Sequence, residues 1–262
     1  MLLPPSSTPA PAEDRLIRRE YGPEGHYVLT GRALERLRES QLRIEPLLRS
    51  VSVRRTHLPV LVPPLLTNPV RDWLNPELRK VVLTTHGSDQ PKGWYPTAGL
   101  CLRGLPLVAK QRFSWRDLPV GYWTGGPAVA PVAGSGPDAE DLVCVDGLLA
   151  EPQERQTDLA ALIGRILTEL DVPAEPAPET WALKGGGSSG EGGGSGEGDG
   201  GTALVWRHDG RVTASLERLP AAAAKQYSAC YMDADNRLQP LSVSFFHISQ
   251  YALLRGTEVT AR

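Results

Sequence analysis

Residues Ala203-Leu204-Val205-Trp206-Arg207-His208-Asp209-Gly210-Arg211-Val212-Thr213-Ala214-Ser215-Leu216 set two β-prone runs on either side of an Asp-Gly pair. Asp-Gly tolerates the positive φ that a two-residue type I′ turn demands, and the twist of that turn matches the twist of the strands it joins. A β-hairpin over 203–216 follows. Ten residues on, the stretches Gln226 to Met232 and Leu238 to His247 flank Asp233-Ala234-Asp235-Asn236-Arg237, a second hairpin with a longer loop, and a short helical segment precedes Gly256. Four antiparallel strands alone leave one apolar face bare, so this C-terminal piece is expected to complete a sheet begun upstream.

Upstream, the helices supply what such a sheet needs to bury. After Thr157, a candidate cap, Leu159, Leu162, Ile163, Ile166, Leu167 and Leu170 recur at i, i+3, i+4, i+7, i+8 and i+11 and so share one stripe. A second helix begins after Thr30, with Leu34, Leu37, Leu42 and Ile44 near helical spacing and charged pairs such as Glu39 with Arg43 on its other side; Pro46 is expected to close or kink it. Residues 51–58 alternate and read as a strand. Prolines 59, 63, 64 and 69 break the apolar run that follows, Asn68-Pro69 and Asn75-Pro76 start short helical turns, and Val81 to Thr85 reads as a strand. Leu100 to Arg103 and Leu107 to Phe113 read as paired strands and 124–138 as a loop, while Asp146-Gly147 inside the apolar run 142–149 reads as a tight hairpin turn.

The fold class expected is therefore α+β: a mainly antiparallel sheet of several hairpins with two principal helices, 31–44 and 158–170, on one face. Residues 1–12 read as a disordered leader. Residues 13–262 read as a single domain interrupted at about 171–202 by a flexible loop, first Pro- and Glu-rich, then the Gly, Ser and acidic tract GGGSSGEGGGSGEGDGG.

Composition bounds the function classes. The 262 residues are 40% hydrophobic and include 27 Gly and 24 Pro, with a net charge of −2; no uninterrupted apolar run reaches the roughly 18–20 residues of a membrane span, and no heptad or Gly-X-Y period occurs. Arginine greatly outnumbers lysine, which either reflects GC-rich coding or selects bidentate anion contacts. Residues 1–130 are net basic and 131–262 net acidic, a pattern that suits an anionic partner or two mutually attractive halves. Cys101, Cys144 and Cys230 are isolated, odd in number and without C-x-x-C spacing, so buried free thiols are expected. A start without a basic n-region, MLLPPSSTPAPAED, points to a cytoplasmic or nuclear protein.

Chemistry is scarce at this level. No phosphate-loop, dinucleotide, zinc-protease or nucleophile-elbow motif occurs, and His26, His57, His86, His208 and His247 never pair at helical spacing. His86, Ser88 and Asp89 fit a local turn better than a triad. Asp233, Asp235 and Asn236 resemble the start of a calcium loop, but Leu238 and Ser244 stand where its Gly and Glu belong. No catalytic residue, metal ligand or cofactor is assigned. The role expected is that of a non-enzymatic accessory or adaptor subunit acting through protein binding, with Pro-rich segments 59–69 and 171–178 as contact points. The second reading is single-stranded nucleic-acid binding through Arg43, Arg49, Arg54 and Arg55 with Lys110, Arg112, Trp115 and Arg116, which join positive charge to flat π faces. The third is an enzyme whose residues meet only in space.

Overall fold

The computed structural model describes residues 17–18, 28–29, 31–57, 61–62, 95–96, 104, 107–127, 143–181, 201–209, 211–219, 224 and 227–254. Two short antiparallel pairs, β1 (Ile17–Arg18) with β2 (Val28–Leu29) and β4 (Leu61–Val62) with β5 (Tyr95–Pro96), lie outside the main sheet. That sheet has nine mostly antiparallel strands. Its main path runs β3 (Val53–Arg55), β7 (Val120–Pro127), β8 (Val143–Pro152), β13 (Leu238–Ile248), β11 (Arg211–Arg218), β10 (Gly201–His208) and β9 (Glu175–Trp181), and β12 (Cys230–Met232) joins β13 to β6 (Arg112–Ser114). Among the described residues three α-helices accompany it: α1 (Gly31–Ser50), α2 (Leu159–Glu169) and α3 (Gln250–Leu253). This is the α+β architecture expected from the sequence.

Both hairpins form. Asp209, with φ 50, turns β10 into β11, and Asp233 accepts from the Asp235 and Arg237 amides at 2.9 and 2.8 Å, closing the β12–β13 loop as an Asx turn rather than a cation loop. Helix α2 buries Leu159, Leu162, Ile163, Ile166 and Leu167, and Leu170 is buried at its C-cap. Each of these side chains removed from water contributes about 1.5–3 kcal/mol. The cap is Asp158, whose carboxylate accepts from the Ala161 amide at 2.9 Å; Thr157 instead gives its amide and hydroxyl to buried Glu151 at 2.9 and 2.7 Å.

Sheet parity assigns the layers. Val53, Trp123, Val145, Leu149, Trp206, Ala214, Phe246 and Ile248 share one face and form a single core with α1, α2 and α3. The opposite face carries Leu148, Ala150, Val243 and Phe245, partly covered by Val108, Tyr227 and Tyr231.

Several local readings are corrected. Residues 143–152 form one continuous central strand, so Asp146-Gly147 is no turn: Phe246, opposite Gly147, fills the space a side chain there would need. Helix α1 runs through Pro46 to Ser50. The ring removes the bond to the Leu42 carbonyl, and Leu42 is 66% exposed, where water can satisfy that carbonyl. Its buried stripe is Ala33, Leu37, Ser40, Gln41, Ile44 and Leu48, leaving Leu34 and Leu42 outside. Strand β3 is shorter than the expected 51–58, residues 120–127 are a strand where the loop was expected to begin at 124, and β6 pairs with β12 in parallel rather than with 100–103. Residues 175–181, expected inside the flexible loop, form edge strand β9. Pro176 and Pro178 are two apart, so both missing donors fall on the same side of the strand, the unpaired one. The expected turns at 68–69 and 75–76, the strand at 81–85, the leader, Cys101, the His86-Ser88-Asp89 turn and the Gly-rich tract before Gly201 lie outside the described residues.

Candidate functional site

Register across four strands aligns polar side chains on the face opposite the helices. Thr124 of β7 stands opposite Asp146 of β8, Asp146 opposite His247 of β13, and His247 opposite Ser215 of β11. In the adjacent row, Tyr122, Leu148, Phe245 and Glu217 follow in the same way. Because strand side chains alternate faces, Cys144 joins Asp146 two residues on. A strand centre is ordinarily apolar; this one carries an acid, an imidazole, a thiol and hydroxyls side by side.

The cluster is tightly organised. Asp146 is only 1% exposed. Its Oδ1 lies 2.8 Å from His247 Nδ1 and its Oδ2 lies 3.2 Å from Cys144 Sγ. A carboxylate only accepts, so the Asp146–His247 bond places the proton on Nδ1 and the thiol donates to the other oxygen. Two charge-assisted bonds stabilise an ionised acid that burial alone would penalise. On the same face, burial pushes the Glu217 carboxyl up to about 7, against the opposing pull of His247. A desolvated acid beside an oriented imidazole can hold a proton in place.

The residues singled out from sequence are distributed differently. Arg43 binds Glu169 at 3.2 Å and Asp171 at 3.3 Å, fastening α1 to the end of α2, and Arg49 pairs with Glu45 at 2.7 Å along its own helix. Arg55 donates to Gln41 at 2.9 Å and its guanidinium lies 5.2 Å from the Trp123 ring centroid, on the helix side of the sheet. Arg54 is exposed and shares the face of Tyr122, its register partner. Lys110, Arg112, Trp115 and Arg116 are exposed on and around β6, with Arg116 5.3 Å from the Trp115 ring centroid. They form no single cluster with the α1 arginines. Of the thiols, Cys144 is buried and Cys230 half-buried.

Sequence reasoning missed Cys144, Asp146 and His247 as a group. The available signal was the period-2 spacing of Cys144 with Asp146, concealed by reading Asp146-Gly147 as a turn. Their meeting with His247 depends on the β8–β13 register, which no local pattern encodes.

No protein-family model matches the chain, and no curated protein matches its sequence. Solved structures do share its fold. A prolyl-tRNA synthetase from Cryptosporidium parvum complexed with halofuginone and AMPPNP superposes with a TM-score of 0.66 at 14% identity, covering 92% of this chain and 49% of that one. The same kind of enzyme from that organism, complexed with L-proline and AMP, gives 0.65 at 15% identity, covering 92% and 48%. The chain thus spans about half the length of these enzymes. This likeness is one of fold, and because the fold is shared with solved enzymes it overturns the expected non-enzymatic adaptor. Among the described residues, no helix is long and apolar enough to cross a membrane.

Proposed function

We propose that this chain is an enzyme, or the core part of one, that binds an amino acid and ATP on the sheet face opposite the helices and activates the amino acid's carboxyl group. The observation that carries the reading is the buried Asp146–His247 pair set in a polar row across the centre of that face. Its acidic surroundings, Glu217 included, suit a substrate ammonium group. The fold is shared with chains solved with L-proline and AMP or with AMPPNP, which favours this substrate pair. In the reaction, a substrate carboxylate oxygen attacks the α-phosphorus of ATP, and the bond to the departing pyrophosphate breaks. Arg54, exposed on the same face, is a cation for the phosphates. By the same analogy the nucleic-acid partner to test is tRNA, with exposed Lys110, Arg112, Trp115 and Arg116 as the surface to alter.

The test is ATP–pyrophosphate exchange with each of the common amino acids. At least one should support exchange above the background without amino acid, and Asp146→Asn should reduce it roughly 30-fold or more, the effect of removing one partner from a buried charged hydrogen bond. Absence of exchange with every amino acid, together with no ATP binding by calorimetry, overturns the proposal.

A further inference from the structure

We infer that Cys144, Asp146 and His247 form a binding site for one transition-metal ion, with zinc as the best match. One ligand atom from each residue lies within 4.8 Å of the other two, and the three side chains are buried or nearly so, His247 being 12% exposed at its side chain. Zinc bonds thiolate sulfur at about 2.3 Å and imidazole nitrogen or carboxylate oxygen at about 2.0–2.2 Å, so ligand atoms around a tetrahedral ion stand roughly 3.3–3.6 Å apart. Here His247 Nδ1 stands 2.8 Å from Asp146 Oδ1 and Cys144 Sγ 3.2 Å from the other carboxylate oxygen, with one ligand atom of each residue within 4.8 Å of the others, so side-chain shifts of about an ångström bring the three to bonding distance of one ion.

The chemistry of the donors selects the metal. In the protein as it stands, a thiol proton and an imidazole proton occupy the hydrogen bonds to Asp146. A divalent ion replaces both kinds of bond at once: the thiol proton is released to solvent, and the imidazole stays neutral by carrying its proton on Nε2 in place of Nδ1, which binds the ion. A thiolate and a carboxylate then balance the two charges of the ion, leaving a neutral buried group. Thiolate with imidazole favours zinc over magnesium or calcium, which take all-oxygen sites. The ligands sit on β8 and β13, adjacent central strands, so the site is held on rigid elements.

Three ligands from among the described residues would leave a fourth position for water or substrate, the pattern of catalytic rather than structural zinc. That the fourth ligand is the substrate's amino group rests on the function proposed above; the metal site itself does not.

The experiment uses the full chain, stripped with a chelator and titrated with Zn²⁺ by calorimetry and with Co²⁺ by absorbance. One equivalent of Zn²⁺ should bind, and the Co²⁺ form should show a thiolate charge-transfer band, a readout that needs no variant. Cys144→Ser should abolish that band, and Cys144→Ser and His247→Gln should each weaken binding more than roughly 100-fold, beyond the cost of losing an outer-shell partner. Failure of the unaltered chain to bind one equivalent, a Co²⁺ spectrum without the thiolate band, or folded variants that bind unchanged, as an adventitious ion would, each overturns the inference. Pyrophosphate exchange by the metal-free chain leaves the proposed function standing and removes the metal's part in it. One equivalent bound with no exchange and no ATP binding does the reverse.

Discussion

Replacing Gly147 with alanine tests whether the centre of β8 is shaped around Phe246. A methyl group at Gly147 falls 2.6 Å from Cε2 of the Phe246 ring and nearer still to two other ring atoms, well inside van der Waals contact. Phe246 cannot swing into solvent, because it is buried in the core it shares with Val145, Leu149, Trp206 and Ile248. Two opposing effects set the sign. Alanine in a strand gains about 0.5–1 kcal/mol over glycine from reduced unfolded-state freedom, whereas overpacking a dense core costs about 1–3 kcal/mol. The net expectation is a loss of about 1–2 kcal/mol, read as a lower urea midpoint at unchanged slope. The partner is identified by a double-mutant cycle: Phe246→Leu frees the space, so Gly147→Ala should cost little in that background, with a coupling of about 0.5–2 kcal/mol. A neutral Gly147→Ala, or two effects that simply add, would refute the packing argument.

Other consequences are equally direct. Asp158→Ala removes the α2 cap and should cost about 0.5–2 kcal/mol in thermal or urea unfolding, most of it restored by Asp158→Ser. The Glu217 carboxyl rises from 4.5 to about 7 in the folded chain, so between those values the folded state holds a proton that the unfolded state has released. Stability of the metal-free chain should therefore fall with rising pH across that window, by at most about 3 kcal/mol, and Glu217→Gln should flatten the slope; an unchanged slope contradicts the assignment. Asp233 behaves oppositely. The Arg237 amide and then the Gln239 side chain hold its carboxyl below the ordinary 3.8, so its stabilisation is present above that value and lost as pH falls through the lowered one, and Asp233→Asn should shrink the acid-side decline in melting temperature.

The parts of the fold legible in sequence were those fixed by local chemistry. The Asp209-Gly210 turn and the six-residue apolar stripe of α2 each involve neighbours in the chain, and both form as read. The misreadings share a cause: a residue whose local preference is overridden from a distance. Pro46 is tolerated because Leu42 is exposed to water; Pro176 and Pro178 are tolerated because β9 is an edge. Asp146-Gly147 resembles a turn because one residue bonds His247 and Cys144 across the sheet face and the other makes room for the Phe246 ring, and neither requirement is written in the local sequence. His247 alternates correctly with Phe245, so its strand was legible, but its partner was not.

The β8–β13 pairing at the middle of the sheet also governs how the molecule opens. Among the described residues, strand β13 is bonded to β8, β11 and β12, and β8 to β7 and β13, whereas β9 is bonded to β10 alone. Amide protons near Asp146 and His247 should therefore exchange with deuterated water only through whole-molecule unfolding, while those of β9 escape through partial opening at far lower free energy. A site so placed stands on the backbone that opens last: the strands carrying Asp146 and His247 stay paired for as long as the chain remains folded, while their side chains can still part by the small distance an ion needs.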